Sequence, residues 1–208
     1  MIMFSRLLIF SFLLSAGCSR AQAVSETNTD TAGNKNILIV YLSRTNNTRA
    51  IAEVIHSNVG GKLVALELVT PYPENYKATV DQVAGENASG FLPPLKTRIA
   101  NMGQFDIVFL GFPTWGMQLP PPVKSFLKQY DLKGKIIVPF NTNAGYGTGN
   151  AFQTVKKMAS GSKVLEGFST RGGIERNGVY FVIKGEKEEL AREEVRKWLG
   201  KIGLHSRR

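Results

Sequence analysis

Ser43, Arg44, Thr45, Asn46, Asn47 and Thr48 directly follow the apolar run 37–42 and lead into a helical pattern. A strand that ends in a short loop and opens a helix aims several backbone N–H groups and the positive end of the helix dipole at one spot, which makes an anion site. Ser43, Thr45 and Thr48 add hydroxyl donors there. Pyrophosphate loops usually rely on glycine, as in G-x-G-x-x-G or G-x-x-x-x-G-K-[ST], and this loop has neither glycine nor lysine. It suits a terminal monophosphate better than a pyrophosphate. Taken alone, the loop is explained equally well by Asn47 or Thr48 capping the helix, a common duty of Asn and Thr.

Two further loops offer flat binding surfaces. Residues 111–118 include Pro113, Thr114, Trp115 and Gly116, and residues 141–149 include Asn143, Gly145, Tyr146 and Gly147. Large aromatics on loops at one end of a sheet can sandwich a planar ring, while glycines let backbone N–H and C=O groups approach its polar edge. Trp115 by itself reads most simply as a packed aromatic. Joined to the hydroxyl loop, the set points to a monophosphate attached to a flat heterocycle, a mononucleotide.

The elements that must position these loops follow from periodicity. The runs 37–42, 63–68, 105–112 and 135–140 are short, apolar and nearly continuous, as strands buried on both faces are. Helical patterns at 48–58, 122–130, 149–159 and 186–201 alternate with them, and a fifth strand is expected at 163–168. Such alternation predicts an α/β layered sheet. Its ligand site lies beyond the carboxyl ends of the strands, where strand order reverses and the loops after strands one, three and four converge. Residues 70–101 break the rhythm: 71–76 are extended or turning, 77–84 helical and 85–94 a loop. An insertion of this size is either a site wall or a surface cover for the sheet edge. Residues 178–184 either extend the fifth strand or form a small additional one.

Composition narrows the function classes. The chain of 208 residues has two histidines, one cysteine and a formal charge of +10. One cysteine forms no internal disulfide, and no Cys/His cluster suggests a metal site. Residues 1–23 read as a secretory signal too short to span a bilayer, with basic Arg6 ahead of an apolar stretch. Two exits compete. Ala21-Gln22-Ala23 fits an ordinary signal peptidase, whereas Leu14-Ser15-Ala16-Gly17-Cys18 resembles a bacterial lipoprotein box and places the only cysteine, Cys18, at the lipid attachment point. The lipoprotein is the favoured expectation, with residues 24–36 as a polar tether, 37–203 as the domain and 204–208 as a basic tail. Without residues 1–23, which hold Arg6, Arg20 and no acidic residue, the chain is still basic. Its basic residues are dispersed, and 184–201 mixes both signs at helical spacing, which describes a solvated helix. No nucleic-acid partner is expected.

In the order and spacing of these motifs the chain resembles the flavodoxin superfamily. The likeness is to a bacterial flavodoxin-like group with a hydroxyl-rich loop, a Tyr-Pro-x-x-Tyr segment, a Gly-x-Pro-x-Trp loop and a Gly-rich loop after strand four. Here these are residues 43–48, Tyr72-Pro73-Glu74-Asn75-Tyr76, Gly111 to Trp115 and residues 141–149. The resemblance implies a doubly wound five-stranded parallel sheet of order 2-1-3-4-5 with helices on both faces, the arrangement general principle gives for flavodoxin itself. It also implies bound FMN. Ser43, Thr45, Asn46, Asn47 and Thr48 would hold the phosphate. Pro113, Thr114, Trp115 and Gly116 would flank the isoalloxazine ring, and Asn143, Gly145, Tyr146 and Gly147 would close its other side. Trp115 and Tyr146 would disfavour the charged reduced ring, and Gly116 would let its peptide flip toward flavin N5. No side-chain acid, base or nucleophile is required. The implied role is an FMN-dependent redox protein of the cell envelope that exchanges electrons with a quinone, a small acceptor or a protein partner. A flavodoxin-fold binding module without flavin turnover is the alternative.

Overall fold

The computed structural model describes residues 35–204. The expected signal at 1–23 with Cys18, all but residues 35 and 36 of the tether, and residues 205–208 of the tail lie outside them. The chain runs β1 (Ile37–Tyr41), α1 (Asn47–Val59), β2 (Lys62–Ala65), α2 (Tyr76–Ser89), β3 (Ile107–Pro113), α3 (Pro121–Gln129), β4 (Ile136–Asn143), α4 (Ala151–Met158), β5 (Lys163–Val164), β6 (Phe168–Arg171) and α5 (Glu186–Lys201). All strand pairings are parallel, in the order β2-β1-β3-β4-β5, with β6 also on β4.

Because successive strand side chains point to opposite faces, the apolar runs divide into two cores. Leu38 and Val40 of β1 join Val123, Phe126 and Val155 on one face, which α3 and α4 cover. Ile37, Ile39 and Tyr41 join Ile51, Ile55, Val195 and Trp198 on the other, under α1 and α5. A strand covered on both sides needs apolar residues at every position, hence the unbroken runs. Phe109, Phe112, Phe126 and Phe140 are among the largest fully buried side chains. The site follows from this division. After β1 the chain turns onto one face as α1, and after β3 onto the other as α3, so the two loops part and leave a cleft at the carboxyl ends of the strands.

Three expectations need correction. The fifth strand is interrupted: Ile136 pairs with Lys163, but Phe140 pairs with Phe168, so the edge strand carries one extra residue relative to β4, as in a β-bulge. Residues 178–184 form no strand and contribute only the isolated bridge Ile174–Val179. The helix expected at 77–84 continues to Ser89, taking up part of the expected loop 85–94. Gly85 weakens it locally, but buried Glu86 anchors the last turn and Gly90, left-handed at φ 71, ends it.

Candidate functional site

A cleft of about 630 Å³ opens at the carboxyl ends of β1, β3 and β4. It brings together most of the loop residues singled out from the sequence: Thr45, Asn47, Thr48, Pro113, Thr114, Trp115, Gly116, Asn143, Tyr146 and Gly147 line it. Ser43, Asn46 and Gly145 stand outside its lining.

The first loop is built by its own side chains. Asn46 adopts a left-handed conformation, φ 63, and makes no side-chain cap. Neither Asn47 nor Thr48 caps the helix. The Thr48 hydroxyl shares a 2.8 Å hydrogen bond with that of Thr142, tying the loops after β1 and β4. Asn47 Nδ2 donates to Tyr180 O at 2.6 Å and to Thr45 Oγ1 at 2.9 Å, while its Oδ1 accepts from Val182 N at 3.0 Å. It thereby fastens the α1 N-terminus to residues 180–182. Ser43 Oγ accepts from Arg49 N at 3.2 Å. Asn47 and Thr48, in the first turn of α1, have N–H groups with no intrahelical acceptor by position, and these point the helix dipole into the cleft. Thr45 Oγ1 accepts from Asn47, so its own O–H remains to be donated.

The second loop closes as a tight turn. Trp115 and Gln118 exchange N–H···O bonds of 3.4 and 3.0 Å, and both central residues have positive φ, Gly116 at 56 and Met117 at 58; this is type I′ geometry. Met117 O accepts from Asn150 N at 3.0 Å. Gly149 is compelled here, since a Cβ on it would lie 1.9 Å from Met117 O. Trp115 is held edge-on by Tyr72, with centroids 5.3 Å apart at 86°. In the third loop Asn143 is the organiser: its Oδ1 accepts from Gly145 N at 2.8 Å and Gly147 N at 3.1 Å. Tyr146 stands 67% exposed at the rim.

Two further groups of residues line the cleft, the first unsignalled by the sequence and the second offered only as one of two readings of residues 70–101. One is the 172–176 loop with Arg44. The Arg44 guanidinium donates to Glu175 Oε1 at 2.6 Å, Pro73 O at 2.9 Å and Glu74 O at 2.5 Å, bracing three segments at once. The other is α2, which contributes Tyr76, Val80, Val83 and Asn87. The Tyr-Pro-x-x-Tyr segment could have revealed it. Tyr72 packs on Trp115 and donates its hydroxyl to Glu86, Pro73 O accepts from Thr79 Oγ1 at 2.7 Å, Asn75 caps α2 through Ala78 N at 3.0 Å, and Tyr76 opens the helix. Burial, reinforced by Glu86, holds the Tyr72 hydroxyl well above the usual tyrosine range. Burial alone pulls the Lys124 ammonium, behind α2, below the usual lysine range.

The cleft's charged lining is Arg44, Glu175 and Arg176, and Glu175 is neutralised by Arg44. Among the described residues no aspartate, lysine, histidine or cysteine lines it. The donor set therefore favours an anionic group at the α1 end, and the aromatic loops favour a flat ring beside it.

Comparison with known proteins agrees with this geometry. Residues 36–183 match a family model described as flavodoxin. No curated protein matches the chain. Among solved structures it is similar to a protein described as a flavoprotein from Bacteroides eggerthii, at 28% identity over 81% of this chain and 98% of that one, with a TM-score of 0.65. A second, described likewise from Bacteroides uniformis, shares the fold at 21% identity over 69% and 94%, TM-score 0.61. A third, a flavoprotein in complex with FMN from Lactobacillus acidophilus, shares it at 21% over 66% and 93%, TM-score 0.59. With the family model spanning the sheet from β1 to β6, the chain belongs to the flavodoxin family.

Proposed function

We propose that the cleft binds FMN and that the protein is an FMN-dependent redox protein of the bacterial cell envelope, exchanging electrons with a quinone, a small acceptor or a protein partner. One observation carries this reading: a single cleft joins the α1 N-terminus at Asn47 and Thr48 and the hydroxyl of Thr45 to the aromatic rings of Trp115 and Tyr146, with no unpaired carboxylate among the described residues of its lining. The residues present fit the group. Thr45, Asn47 and Thr48 would receive the phosphate through backbone N–H groups and the Thr45 hydroxyl, and the α1 dipole favours its negative charge. Trp115, braced by Tyr72, offers a ring face and keeps water from one side. Tyr146 offers the opposite face. Gly116, left-handed at φ 56, has the conformational freedom for its peptide to turn. When bound, FMN supplies the electron chemistry; the protein binds, orients and shields it. The FMN-bound relative from Lactobacillus acidophilus supports the assignment.

Comparing FMN with riboflavin tests it. Riboflavin has the same ring and no phosphate, so FMN should bind at least about a hundredfold more tightly, some 2.7 kcal/mol. Equal affinities would remove the phosphate from the α1 end. The envelope location rests on the expected lipoprotein signal, with lipid on Cys18 or, after cleavage at 21–23, a soluble periplasmic form.

A further inference from the structure

The residues assigned to FMN leave one wall of the cleft without a role. Tyr76, Val80, Ala84 and Ala88 recur at four-residue intervals along α2, forming one stripe. All four line the cleft, with Tyr76 39% and Val80 44% exposed. The charges of α2 are engaged elsewhere: Lys77 pairs with Asp81 in solvent, and Glu86 is buried against Tyr72 and Gln82. The wall is neutral and largely apolar.

Its oriented polar group is Asn87, which lines the cleft beside the stripe. Lys124 Nζ donates to Asn87 Oδ1 at 2.7 Å. An ammonium has only donors, so this contact fixes the amide: Oδ1 faces the lysine and Nδ2 faces away from it. The ammonium also polarises the amide and strengthens the remaining N–H as a donor. A neutral apolar wall with one oriented donor complements a flat, uncharged molecule bearing a carbonyl oxygen at its edge. A carboxylate would find no unpaired cation on this wall.

We propose that the α2 wall is the subsite for a quinone, its ring lying on Val80 and Ala84 and one carbonyl oxygen accepting from Asn87 Nδ2. This deepens the proposed redox function and rests on it for the adjoining FMN. Equilibrium dialysis of the purified protein, with and without FMN, against duroquinone and durene tests it, since durene is the same tetramethyl ring without carbonyls. The wild type should prefer duroquinone about fivefold, the contribution of one net hydrogen bond. Asn87→Leu and Asn87→Asp should both abolish that preference while FMN affinity stays unchanged; the aspartate retains the Lys124 contact, so its loss of preference reports the missing donor and not a loosened helix. Equal binding of the two ligands to the wild type, or a preference surviving in both variants, overturns the proposal. Loss of FMN affinity in both variants assigns Asn87 to the cofactor and also overturns it. Failure of the wild type to bind FMN defeats the cofactor assignment alone, because the duroquinone preference is read independently in FMN-free protein.

Discussion

Among single residues, Tyr72 joins the site's aromatic wall to a buried carboxylate, and its titration gives a signed prediction. Its hydroxyl is raised in the folded chain by burial and then by Glu86. The folded protein therefore keeps this proton after an unfolded tyrosine, at 10.0, has begun to lose it. The resulting stability is complete below pH 10 and declines as pH rises through the folded value. Tyr72→Phe lacks that contribution and leaves Glu86 one partner short, which costs about 1 kcal/mol at neutral pH. Urea titrations at pH 8 and pH 11 should show the gap between wild type and variant narrowing at the higher pH; a constant gap would separate the hydroxyl from this linkage. The same scale shows what a sequence conceals. The hydroxyls of residues 43–48 were legible as a polar loop, but the partners of Asn47 lie at Tyr180 and Val182, and that of Thr48 at Thr142. Bonds across such separations have no local signal, so the loop by itself did not show that Asn47 and Thr48 bond to other segments and do not cap α1.

Among the elements, the two site loops are locked to each other by backbone. A Cβ on Gly149, at φ 55, would strike Met117 O, whereas one on Gly147, at φ 83, would meet nothing within 4 Å. Gly147→Ala should thus cost only positive-φ strain, about 1 kcal/mol. Gly149→Ala must also part the loops, so chemical denaturation should show it the less stable and FMN titration the weaker binder. Equal effects would show that the contact does not hold the loops. Strands β1, β3 and β4 were readable because burial on both faces demands continuous apolar residues. The length of α2 was not, because Gly85 and Gly90 give the same local signal. Only the second ends the helix, while Glu86, anchored by Tyr72 and Gln82, carries it past the first. The break between β5 and β6 was equally hidden, since one inserted residue at an edge leaves composition unchanged.

For the whole molecule, strand alternation sufficed for an α/β layered sheet, and the order of its strands followed only from the family that the motifs resemble, because both the alternation and the motifs rest on spacing along the chain. The α2 wall was legible only as one of two readings of residues 70–101, site wall or surface cover, since the choice depends on packing beside α3; its residues line the cleft. Among the described residues no helix is long and apolar enough to cross a membrane. The proposed anchorage is by lipid on Cys18. Cys18→Ser should move the protein from the membrane to the soluble fraction after cell lysis. An unchanged distribution would refute lipid attachment and favour cleavage at 21–23. The central claim, that one cleft at the carboxyl ends of β1, β3 and β4 holds FMN, is tested most directly by the visible absorbance spectrum of the purified protein after incubation with FMN and desalting. Flavin bands at about one per chain are the predicted result; a folded protein that emerges colourless would contradict it.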